Sequence, residues 1–66
     1  MILSRELALE YCNTLRQHFR DKLNEWETGF VADIRAKLIY DPRFTLSQKQ
    51  SMRLDTIMER CADTHR

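Results

Sequence analysis

Leu23-Asn-Glu-Trp-Glu-Thr-Gly-Phe-Val-Ala-Asp-Ile-Arg-Ala-Lys-Leu38 carries the chain's only tryptophan and its only glycine. Leu23, Trp26, Phe30 and Ile34 follow the i, i+3, i+7, i+11 spacing of one apolar stripe, which Val31 and Leu38 widen. The spacing predicts an amphipathic helix over 25–39 with Trp26 in the core. Asn24, with Glu27 three residues on, has the form of a reciprocal N-terminal cap. Gly29, Ala32 and Ala36 make a second strip of small residues on another side. Gly29 costs about 1 kcal/mol relative to alanine in a helix interior. Two explanations stand side by side: the strip admits a close second helix, as in a symmetric dimer, or it is an exposed surface needing no side chain.

On the N-terminal side, Ser4 is placed to cap a first helix, with Glu6 in the opening turn and Leu3 and Ala8 at staple positions. Leu7, Tyr11, Leu15 and Phe19 recur every four residues beside Ala8 and Cys12, opposite a polar face of Arg5, Glu10, Asn13 and Arg16. A helix over about 4–22 is expected. No glycine or proline separates Arg20 from Asn24, so one uninterrupted helix from Ser4 to about Ile39 competes with a break there. The Asn24 cap favours the break.

On the C-terminal side, Tyr40-Asp41-Pro42-Arg43-Phe44 ends the helix, because proline lacks an N–H and restricts the residue before it. Ser47 and Gln50 form a second capping pair, led in by Leu46. A third helix over about 48–62 then buries Leu54, Ile57, Met58 and Cys61. The tail from Asp63 has no reason to be ordered. The expected fold is all-α: a small antiparallel three-helix bundle forming a single domain over 1–66, or a longer two-helix arrangement whose core is completed by dimerisation.

Composition sets the outer limits. With 66 residues the chain is one domain, and domains of this size bury only roughly 60% of the surface that the unfolded chain exposes. One glycine, one proline, 42% hydrophobic and 32% charged residues favour long helices over disorder. A net charge of +1 supplies no global field for nucleic acid or an anionic membrane. No apolar run reaches the ~18 residues of a membrane span, and the start lacks the pattern of a signal peptide. A cytoplasmic protein with two reduced cysteines is the expectation.

Candidates for chemistry are few. Cys61 and His65 are four apart, and Cys12 and His18 could come from the first helix, but the tight C-x2-C pairs usual for zinc are missing. A Cys–His nucleophile would need an orienting third group and a dry pocket, for which the chain has little volume. Glu25, Glu27 and Asp33 fall on exposed or capping positions. The expectation is therefore no enzyme, no cofactor and no metal. A basic edge at Arg16, Arg20 and Lys22, with His18 beside it and Asp21 diluting it, is the candidate nucleic-acid surface; Arg35, Lys37, Arg43, Lys49 and Arg53 could extend it. The Ser47 helix also resembles a weak recognition helix, with Gln48, Lys49, Ser51 and Arg53 outward. For partner binding the candidates are Tyr40, Arg43, Phe44, Lys49, Met52 and Arg53, because aromatic residues, methionine and arginine dominate interface energetics.

The pattern Leu23-x2-Trp26-Glu27-x2-Phe30-x3-Ile34, followed by Leu46-Ser47-x-Lys49-Gln50-x3-Leu54-x2-Ile57, resembles a short helical module of small proteins from phages and other mobile elements. It is also similar to segments appended to proteins of DNA replication and recombination. The likeness covers roughly 20–61 and carries no catalytic residues across; Tyr40, Pro42 and Phe44 stand where a more polar loop would be expected. It implies a phage or mobile-element setting. Together these readings point to a non-enzymatic protein that docks on another protein or complex and modulates or inhibits it, an anti-CRISPR-like inhibitor being one form. A nucleic-acid-binding accessory protein is the alternative, and a purely structural homodimer a third.

Overall fold

The computed structural model describes residues 2–64. It contains three α-helices, α1 (Arg5–His18), α2 (Glu25–Tyr40) and α3 (Gln48–Thr64), with a short 3-10 turn at Arg20–Lys22. There is no strand among the described residues. The bundle is all-α, as the sequence predicts.

The three helix starts follow from their caps. Ser4 Oγ accepts the Leu7 N–H at 3.1 Å. Asn24 Oδ1 accepts the Glu27 N–H at 2.8 Å while Glu27 Oε1 accepts the Asn24 N–H at 3.0 Å, a complete capping box. Ser47 and Gln50 repeat the arrangement at 3.1 and 2.9 Å. The Asn24 cap accounts for the break between α1 and α2 and excludes the continuous rod. The first helix is shorter than expected, however. It ends at His18 and not at residue 22, because Phe19 turns its side chain into the core and leaves helical backbone geometry, and the chain tightens into the 3-10 turn. At the other end, α3 runs on through Asp63 and Thr64, which the sequence reading left unordered; Cys61, 1% exposed, anchors its last turns. His65 and Arg66 lie outside the described residues.

α1 is the central helix, against which both α2 and α3 pack. Its buried line is Ala8, Cys12 and Leu15, each 0% exposed, continued by Phe19. The small side chains at Ala8 and Cys12 let two neighbours approach one helix. Leu7, expected inside, is 37% exposed, and Tyr11 is only half-buried against the core. α3 contributes Leu54, Ile57 and Cys61 as expected, with Met58 packed beside them and Leu46 buried ahead of the helix. Ser51 does not face out: it is 1% exposed, and its Oγ accepts the Leu3 N–H at 3.0 Å.

The main correction concerns α2. Its buried residues are Glu27, Val31, Ile34 and Leu38: Val31, Ile34 and Leu38 lie inside as expected, but in the first turns the buried side shifts by one residue, with Glu27 inside in place of Trp26. Trp26 is 57% exposed, and Phe30 and Leu23 are half-buried at the margin. α2 has apolar residues on several sides, so periodicity alone does not select which of them faces inward. Interactions at its ends make the selection. Arg60 of α3 pulls Glu27 inward, and Arg5 of α1 donates to the carbonyls of Leu38, Asp41 and Phe44, tying down the last turn of α2 and the loop beyond. Arg5 is thus a half-buried clamp and not part of a solvated face.

Candidate functional site

Trp26 and Phe30 lie four residues apart on α2, on the side turned towards α3. Their rings stack with centroids 5.3 Å apart and planes 9° from parallel. From α3 the Arg53 guanidinium sits 5.2 Å from the Trp26 ring centre, in cation–π range. Trp26, Phe30, Lys49, Gln50 and Arg53 enclose a shallow hollow of about 160 Å³ between the two helices. Lys49 and Arg53, one turn apart, form a basic ridge. Beyond it Lys49, Met52, Arg53 and Thr56 line a second open hollow, with Met52 56% exposed. The result is a continuous face of aromatic, thioether and cationic groups.

The expected partner residues divide between two places. Lys49, Met52 and Arg53 are brought together, and Trp26 and Phe30, read from sequence as core, join them. Tyr40, Arg43 and Phe44 lie at the far end of α2; Tyr40 is 14 residues from Trp26, about 21 Å along the helix. Tyr40 and Arg43 are exposed, whereas Phe44 is half-buried against the core with the Lys37 ammonium 5.7 Å from its ring centre.

A second concavity lies on the opposite flank of α2. Arg16, Arg20, Leu23, Thr28, Val31 and Ala32 line a groove of about 210 Å³, so two of the three residues of the basic edge share one rim. Lys22 is not among the lining residues, and its carbonyl accepts from Arg60 at 3.2 Å. The strip of Gly29, Ala32 and Ala36 points outward, and a Cβ added at Gly29 would meet nothing within 4 Å.

The strongest electrostatic feature is the pair between Glu27 and Arg60. The guanidinium grips the carboxylate with both nitrogens, at 2.6 and 2.8 Å. Hydrogen bonding from Arg60 holds the Glu27 carboxyl below its ordinary range against the opposing effect of burial, with the Asn24 N–H assisting. Both carboxylate oxygens accept hydrogen bonds from the fold itself, which makes the pair a closing contact between α2 and α3. Sequence reading found the cap but missed Arg60 and the clamp at Arg5, because neither has a local pattern: each meets its partner across 33 residues or more. Lys37 and Asp33 make an ordinary exposed pair at 3.1 Å, and Arg35 Nε donates to Asn13 Oδ1 at 2.8 Å across α1 and α2.

Cys12 and Cys61 are buried, and neither is in a disulfide. Burial pushes the Cys12 thiol up to about 11, which keeps it protonated at neutral pH and poor as nucleophile or ligand. Among the described residues no three His, Cys, Asp or Glu side chains gather as a metal site, and His65 lies outside them. No helix among them is long and apolar enough to cross a membrane. No protein-family model, curated protein or solved structure matches the chain.

Proposed function

We propose that this protein is a non-enzymatic docking module that binds another protein through the face formed by Trp26, Phe30, Lys49, Met52 and Arg53. One observation carries the reading: Trp26, the largest side chain in the protein, remains more than half exposed while stacked on Phe30 and faced by Arg53. A pre-ordered indole beside arginine and methionine is the composition of an interface hot spot, with little side-chain entropy left to lose on binding. The sequence resemblance supports a phage or mobile-element setting, where occluding a host complex, as anti-CRISPR proteins do, is one use of such a face.

The edge of Arg16, Arg20 and Lys22 gives weaker support to nucleic-acid binding. None of the groove's lining residues is aromatic, so no ring is offered to stack a base, and Asp21 interrupts the cations.

The test is affinity capture from host lysate by the wild type and by a Trp26→Ala, Arg53→Glu double variant, before and after nuclease treatment. The expected result is a protein set that survives nuclease and is lost by the double variant, whose helicity is unchanged and whose melting temperature falls by no more than about 8 °C. The same set retained by both proteins, or one abolished by nuclease, overturns the proposal.

A further inference from the structure

The groove on the other flank of α2 has a divided chemistry. Leu23, Val31 and Ala32 supply an apolar floor, and Arg16 and Arg20 stand on the rim, both exposed. Arg5, Arg35, Arg53 and Arg60 each hold a partner within the chain. Among the described residues, neither the Arg16 nor the Arg20 guanidinium makes a hydrogen bond or an ion pair. Two like charges on one rim repel, and an anion between them would relieve that repulsion while engaging both forks.

The size of the groove narrows the occupant. At about 210 Å³ it is below the roughly 300–1,000 Å³ of a pocket that encloses a small molecule; it suits an aliphatic side chain delivered on a backbone. A nucleic-acid strand suits it poorly, since no aromatic side chain lines it to stack a base, whereas its apolar floor suits an aliphatic side chain. We propose that this groove binds an acidic peptide segment, with an aliphatic side chain on the floor of Leu23, Val31 and Ala32 and flanking carboxylates on Arg16 and Arg20. The inference does not rest on the Trp26 face, which lies across α2.

The probe is a fluorescein-labelled decapeptide of glutamate and leucine, titrated by anisotropy and by amide chemical shifts of the labelled protein. Binding is expected to move the Thr28, Val31 and Ala32 amides. An Arg16→Ala, Arg20→Ala variant, checked for unchanged melting, should weaken it about tenfold, and so should glutamine in place of glutamate in the peptide. Trp26→Ala should leave it intact, which separates this site from the docking face. The proposal is overturned if the peptide leaves those amides unmoved, if the double arginine variant binds it equally well, or if an oligothymidylate of equal charge displaces it from the groove.

Discussion

Trp26 and Glu27 are neighbours in sequence with reversed fates: the indole is 57% exposed and the carboxylate 6%. Hydrophobicity alone would exchange them. The carboxylate goes inside because its charge is met twice, by the Asn24 N–H and by the bidentate Arg60, and a buried charge is tolerable only when paired and hydrogen-bonded. The indole stays outside because α1 presents small side chains to the inner face of α2, leaving a seam that Val31, Ile34 and Leu38 already fill. One side of α2 therefore holds the fold together while the side beside it is left for recognition, and substitutions on the two sides should behave oppositely.

The sharpest break is between Ile34→Ala and Trp26→Ala. Ile34 is 1% exposed, and its truncation should cost about 2–5 kcal/mol, read by urea or thermal denaturation. Trp26→Ala should cost about 1 kcal/mol or less while removing partner binding; equal losses would mean that the indole belongs to the core after all. Next, Glu27→Gln should cost about 1–2 kcal/mol, less than for a fully buried pair because the Arg60 side chain is about half exposed.

The same pair sets an acid limb. With the folded carboxyl held below its ordinary value of 4.5, the unfolded chain takes up a proton first as pH falls. The stabilisation is complete above pH 4.5 and is lost as pH drops through the lower folded value. Melting temperature followed down from neutral pH should fall in that range in the wild type and fall less in Glu27→Gln. The smallest effect is Gly29→Ala, which meets no neighbour and should raise stability by about 0.5–1 kcal/mol. A loss that grows with protein concentration would instead show a second chain packed on the strip.

Much of the fold was legible because its signals are local. Ser4, Asn24 with Glu27, and Ser47 with Gln50 announce three helix starts within four residues each, and Pro42 marks the loop. The α3 stripe, Leu54, Ile57 and Cys61, was also clear, since charged residues surround it. α2 was readable as a helix but not in its rotation, because apolar side chains lie on both its inner and outer sides. The candidate face was half legible: Lys49, Met52 and Arg53 stood off the α3 stripe, whereas Trp26 could be moved there only by knowing that Arg60 reaches Glu27. The groove at Arg16 and Arg20 needed the turn at Phe19, which has no glycine or proline to betray it.

The Leu3 N–H on Ser51 Oγ joins positions 48 residues apart, and Arg5 reaches carbonyls on and beyond the last turn of α2. During synthesis α1 leaves the ribosome before either helix it is built to hold, so the order of translation opposes the order of assembly. The nascent helix must wait, its cysteine and leucines bare, until residue 51 has cleared the exit tunnel. On a chain extended by a C-terminal linker, stalling with residue 51 still inside the tunnel should leave a protease-sensitive chain, and a linker long enough to carry it out should lock it.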